Sequence, residues 1–162
     1  MSKPFVAAFG IAIAVIALLV WQGFISTNGN HLEPKGQIGK VRAQKVDDNE
    51  MIAIIDFKLK NDADIAMVVR NVEASINTAD GSSVNGSVIA GTDLANFFRN
   101  YPAIGEQFNP PLKARDTVGG HQTVDRMVGV RFDVPEETMD KRKDVVLRIE
   151  DITGPIAELK AK

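Results

Sequence analysis

The sequence predicts a mainly β protein: a single N-terminal transmembrane helix followed by an immunoglobulin-like antiparallel β-sandwich with one short helix. Three observations carry this. Residues 5–25, FVAAFGIAIAVIALLVWQGFI, are uncharged and almost wholly apolar, and at 1.5 Å per residue they make about 30 Å of helix, the thickness of a bilayer's hydrocarbon core. From residue 37 onward, apolar residues alternate with polar ones in seven or so short runs, the period of strands. Turn residues separate these runs every ~8–12 positions, with no alternation of strand and helix between them.

Composition narrows the function classes. Of the 162 residues, the part after residue 26 carries 18 of the 19 basic and all 21 acidic ones, a net charge of −3. Neither sign dominates and aromatics are few, so nucleic acid is not an expected partner. There is no cysteine, which removes disulfides, thiolate metal sites and Cys nucleophiles.

Residues 1–4 are a short tail with one cation, Lys3. The apolar run that follows is longer than a signal-peptide core, and no pair of small residues of the A-x-A kind follows it, so a retained signal-anchor is expected. Lys3 and the terminal amine favour a cytoplasmic N-terminus at a bacterial inner membrane and an extracytoplasmic domain. Lys35, Lys40, Arg42 and Lys45 weigh the other way, but long domains cross largely regardless of charge. Within the span, Ala7, Gly10, Ala14 and Ala17 fall within roughly 80° of one another on a helix. Such a stripe lets a second membrane helix approach closely, which makes these four the candidate helix-packing face; the bland reading is ordinary Ala and Gly usage. Trp21 fits an interfacial anchor.

Residues 26–36 read as a flexible polar linker, in which His31 has no companion at metal-ligand spacing. The sandwich is expected over 37–162. Val41, Ala43 and Lys45 alternate with Arg42, Gln44 and Val46 in a rather polar first strand. After the Asp47-Asp48-Asn49 turn, Met51 to Lys60 forms the clearest strand, apolar on both faces in its first half and therefore central. Asn61 to Asp64 reads as a turn, since Asp62 and Asp64 lack the glycine and distal glutamate of a calcium loop. Val68 to Thr78 and Ser83 to Ala90 flank Asp80-Gly81 as a hairpin. Asn85-Gly86 predicts a bulge or second turn in the return strand. Asn85-Gly86-Ser87 also matches a glycosylation acceptor, a pattern common by chance.

Leu94, Phe97, Phe98 and Tyr101 recur at helical spacing, with Thr92 or Asp93 to cap the start and Pro102 to stop it. These four aromatic and aliphatic residues are expected to plug one open end of the sandwich, or else to form a partner surface. Leu112 to Arg115 reads as a short edge strand. Gly119-Gly120 lacks the residues of a phosphate loop, and His121 lacks a G-x-S-x-G serine to work with. Thr123 to Val134 is a long strand with Val124, Arg126, Val128, Val130, Phe132 and Val134 on one face. Pro135-Glu136-Glu137 opens a short charged turn or helix with Pro at its first position. Val145 to Glu150 and Ile156 to Lys160 close the domain.

The run from Ile54 to Asp64, followed by Val69 to Ile76 and Asp80-Gly81, resembles the first half of LEA-type-2 and FxLYD-like sandwich domains. Gly129 to Pro135 is similar to their closing G-x-V-x-F-x-V-P strand. The resemblance implies a membrane-anchored binding or assembly module without shared catalytic residues. The expectation is therefore a non-enzymatic accessory subunit of a larger membrane complex, with the bilayer and other membrane helices as partners and no cofactor, metal or small-molecule substrate. A respiratory or photosynthetic complex would be a natural host. A free envelope-binding or stress-protection module is the alternative, and a hydrolase using scattered carboxylates such as Asp56, Glu106 or Asp116 needs a separation that sequence does not show.

Overall fold

The computed structural model describes residues 13–22, 32 and 34–162. The chain divides into two compact units, Met1–His31 and Leu32–Lys162. In the first unit, residues 13–22 form helix α1, with Trp21 71% exposed. Among the described residues no helix is long and apolar enough to cross a membrane. The rest of the expected span at 5–25 lies outside them, as do Ala7 and Gly10; Ala14 and Ala17 lie on α1.

The second unit is mainly β and sandwich-like. Its strands are β1 (Pro34–Asp47), β2 (Glu50–Asn61), β3 (Met67–Asn77), β4 (Ser83–Val88), β5 (Thr117–Val118), β6 (Thr123–Phe132), β7 (Asp144–Asp151) and β8 (Ile156–Ala161); the helices are α2 (Gly91–Asn100) and α3 (Glu136–Asp140). They form one continuous antiparallel sheet in the order β1-β2-β6-β4-β3-β7-β8, with β5 on β3. The sheet folds over on itself, so that Ile55, Phe57, Val130 and Phe132 from one half share a core with Ile76, Leu147, Ile149 and Leu159 from the other.

The fold-over is made by β4. Ser83–Gly86 pair with β3 in unbroken register, and Ser87–Val88 then pair with β6. Gly86 therefore marks a change of sheet half instead of the expected bulge or second turn. The close approach explains the glycine: a Cβ there would sit 2.3 Å from Val130 Cγ1 and 2.6 Å from Phe132 Cε1. At the other edge β1 comes beside β8, where a Cβ on Gly36 would meet Leu159 Cδ2 at 2.8 Å.

Strand β1 starts at Pro34, inside the stretch expected to be linker, because its polar residues pair through the backbone with the equally polar end of β2: Lys35 lies opposite Lys60 and Gln37 opposite Lys58. Residues 112–115 form no strand; Pro111 makes a single parallel bridge to Met127. Pro135 is the N-cap of α3, not its first residue.

Candidate functional site

The central strand places one carboxylate where apolar burial would penalise it. In β2 every residue from Met51 to Phe57 is buried, including Asp56 at 7% exposure. Inward-facing Met51, Ala53, Ile55 and Phe57 join the core between the sheet halves. Ile52 and Ile54 point the other way, into a second apolar cluster with Met127 of β6 and Leu94, Phe97 and Ile104 of the segment above. Asp56 lies on this outer face, and a charge so buried requires a partner.

Strand β1 supplies that partner through an irregularity. Ile38 pairs with Phe57 and Lys40 with Asp56, leaving Gly39 as an extra residue. Beyond the bulge, Lys40, Arg42 and Gln44 are cross-strand neighbours of Asp56, Ile54 and Ile52, and cross-strand neighbours share a face. The Arg42 guanidinium donates from Nη2 to Asp56 Oδ2 at 2.9 Å, and these side chains are 9% and 10% exposed.

Residues 89–112 cover this outer face as one strap. It leaves the sheet where Ile89 N–H bonds Gly129 O and returns where Leu112 N–H bonds Met127 O. Helix α2 lies against β6 at Gly129, whose missing side chain makes room for Leu94: a Cβ there would be 2.1 Å from Leu94 Cδ2. The N-cap of the helix is Ala90, with no side-chain cap bond, so neither Thr92 nor Asp93 serves that role. A 3₁₀ turn at Pro102–Ile104 follows, and Gly105 reverses the chain at φ +89°. That reversal brings two carbonyls to one point. Arg42 Nη1 donates to Ile104 O at 2.9 Å and to Glu106 O at 2.8 Å. Asn109 Nδ2 then donates to Asp56 Oδ1 at 2.9 Å. One buried ion pair thus ties the strap to the sheet.

Phe108 lies on the outside of this knot and is 63% exposed. The Arg42 Cζ stands 4.9 Å from its ring centroid and Lys40 Nζ stands 5.9 Å away. Beside it opens a cleft of about 310 Å³, bordered by Phe108, Lys40, Lys58, Asn109, Asp56 and Asp125 among others. Its two carboxylates are each held by a cation, Asp56 by Arg42 and Asp125 by Lys58 at 3.0 Å.

The residues singled out from sequence fall in different places. Leu94 and Phe97 are buried under α2 on the outer face of β2 and β6, not at an open end of the sandwich. Phe98 and Tyr101 are half-buried at the margin of that cluster, with Tyr101 stacked on Phe97 at 4.8 Å. Only these two of the four present surface to a partner. The carboxylates weighed for hydrolysis have separate roles: Asp56 is in the ion pair, Asp116 accepts from Lys113 N–H, and Glu106 contributes its carbonyl oxygen to Arg42. His121 is an exposed turn residue at φ +58°, with Nε2 2.8 Å from Asp64 Oδ1. Asn61, expected only to end a strand, is fully buried and donates from Nδ2 to Ile65 O, Val118 O and Gly119 O. Among the described residues no cluster of His, Cys, Asp and Glu has the shape of a metal site.

Phe108 had no sequence signal, because one aromatic in an aperiodic loop has no pattern. Arg42 had one: a carboxylate inside an apolar run calls for a cation, and the hairpin through Asp47–Asn49 places residues near 41 opposite Asp56.

No family model matches the chain, and no curated protein matches it. Solved structures match it at long range. The archaellum periplasmic stator protein FlaG from Sulfolobus acidocaldarius is 10% identical over 79% of this chain and 99% of its own, with a TM-score of 0.32. A chain of the FlaF–FlaG stator complex from the same organism is 11% identical over 78% and 87%, at 0.34. An uncharacterised β-sandwich protein from Clostridium difficile 630 is 16% identical over 82% of each chain, at 0.33. Likenesses this distant carry neither function nor family to this chain.

Proposed function

We propose that this protein is a non-enzymatic, single-pass membrane protein that serves as an accessory subunit of a larger membrane assembly. Residues 5–25 span a bacterial inner membrane with the N-terminus in the cytoplasm, and Ala7, Gly10, Ala14 and Ala17 face a neighbouring helix. The sandwich is extracytoplasmic and docks through the surface around Phe108.

The observation that carries the docking surface is Phe108 itself. It is 63% exposed, yet it rests on a buried guanidinium beside a cleft. An aromatic ring held in place loses little freedom on binding, and aromatic and Arg residues are enriched where protein interfaces carry their energy. A cleft whose carboxylates are both in ion pairs suits binding better than proton transfer.

The test is mild-detergent extraction followed by native sizing. The wild-type protein should run in a stable assembly much larger than a monomer, and Phe108→Ser should release it with no change in thermal midpoint. A species of monomer size for wild type would favour a free anchored envelope-binding module. An assembly unmoved by Phe108→Ser would remove the docking surface.

A further inference from the structure

Three of the five large apolar side chains that the described sandwich leaves exposed lie at one end of it: Ile65 at 40%, Ile152 at 61% and Ile156 at 45%. Ile65 is in the β2–β3 turn, where its carbonyl accepts the 2.7 Å bond from Asn61. Ile152 is in the β7–β8 turn, its N–H bonded to Val68 O at 2.9 Å. Ile156 opens β8 opposite Glu150. The turns that hold these side chains are firmly tied. Asp151 is buried and accepts from Val68 N–H at 2.6 Å and from Thr153 N–H at 2.7 Å, while Asn61 fixes the other turn. The apolar groups are therefore presented on a rigid base.

The chain enters the sandwich at this same end, since Pro34 pairs with Asn61. We propose that this end is a lipid-contacting surface, with Ile65, Ile152 and Ile156 seated in the headgroup layer of the bilayer. The inference rests on the reading of residues 5–25 as a membrane span. Only residues 26–31 then separate the span from Leu32, at most about 25 Å of fully extended chain. This end cannot leave the bilayer by more than that length, and exposed aliphatic groups gain by entering the interface. The acids nearest the three side chains each have a partner that offsets repulsion of lipid phosphates: Asp62 lies 2.6 Å from Lys60 and 3.7 Å from Lys35, Asp64 lies 2.8 Å from His121 Nε2, and Glu150, opposite Ile156, lies 3.2 Å from Arg70. Seating the sandwich this way also sets the height of the Phe108 cleft. Asp56 is five strand residues from Asn61, about 17 Å above the contact.

The absence of cysteine in the whole chain makes the test direct. Single-cysteine variants Ile65→Cys, Ile152→Cys and Ile156→Cys of the full chain carry a bimane label. Ala79→Cys, in the exposed turn between β3 and β4 at the far end, is the control. Each is reconstituted into phosphatidylcholine–phosphatidylglycerol vesicles containing a headgroup-nitroxide lipid. Quenching at 65, 152 and 156 should be several-fold stronger than at 79. Equal quenching at all four sites, with the protein still floating with the vesicles, overturns the lipid-contacting end and leaves the membrane span standing. Failure to float with vesicles overturns the span, and the contact with it.

Discussion

Arg42 and Asp56 show how much one buried pair can be asked to hold. Two charges taken out of water recover their hydration only through close geometry and further hydrogen bonds, and here both have them: two carbonyls for the guanidinium and an asparagine amide for the carboxylate. Arg42→Ala should therefore cost about 3–5 kcal/mol, mostly because Asp56 is left charged and unpaired. The double variant Arg42→Met/Asp56→Leu should lose less than either single change, as measured by urea unfolding. Equal or additive losses would mean that the pair does not act as a unit. Asp151 provides a pH-dependent counterpart. Burial alone would raise its pKa, but bonds from the Thr153 hydroxyl and the N–H groups of Thr153 and Val68 outweigh burial and hold it below the ordinary 3.8. A carboxyl depressed in the folded state stabilises fully above its unfolded pKa, and that stabilisation fades as pH falls through the folded value. Stability should thus fall in acid below about pH 4. Asp151→Asn should be less stable at neutral pH and should lose this component of the acid dependence, which a series of thermal melts from neutral pH downward would reveal.

At the scale of elements, the strap over residues 89–112 depends on one missing side chain. Helix α2 is short and has no side-chain cap, so isolated helix formation would not maintain it; burial of Leu94 and Phe97 against β2 and β6 does. Gly129→Val should push Leu94 off the sheet and cost about 1–3 kcal/mol or more, the scale of an overpacked core. Since Tyr101 is the sole tyrosine and stacks on Phe97, its near-ultraviolet circular dichroism should weaken with the helix contact. Retention of both signal and stability would show that the strap does not lean on this strand. The periodicity of Leu94, Phe97, Phe98 and Tyr101 predicts the helix correctly but not its seat. The apolar outer half of β2 was the missing clue: Ile52 and Ile54 needed a cover, and α2 with the 3₁₀ turn provides it.

For the whole molecule, the described sandwich is one sheet folded through β4 instead of two sheets meeting face to face. Its surface features divide along the strand axis. The Phe108 cleft lies on the flank of β1 and β2, while Ile65, Ile152 and Ile156 occupy the end where the chain enters. One surface suits a protein partner and the other a lipid layer, so either surface can fail while the other stands, although the lipid contact falls with the membrane span.

Local pattern determined most of the strands. Alternation located β2, β3, β6 and β7 within a residue or two, because side chains on successive strand residues must face opposite sides. The turn at Asp80-Gly81 was fixed by glycine's freedom at positive φ. Other features were settled only by long-range contact. Gly86 became a fold-over because Val130 and Phe132 press against it; Gly39 became a bulge because β1 carries one more residue than β2 between the Lys40–Asp56 and Ile38–Phe57 pairs. Phe108 became a surface feature because a guanidinium 66 residues away in the chain stacks against it. Spacing in a sequence records what a residue's near neighbours require. It does not record contacts between segments brought together by a sheet that folds over on itself, and those contacts are what assemble the site.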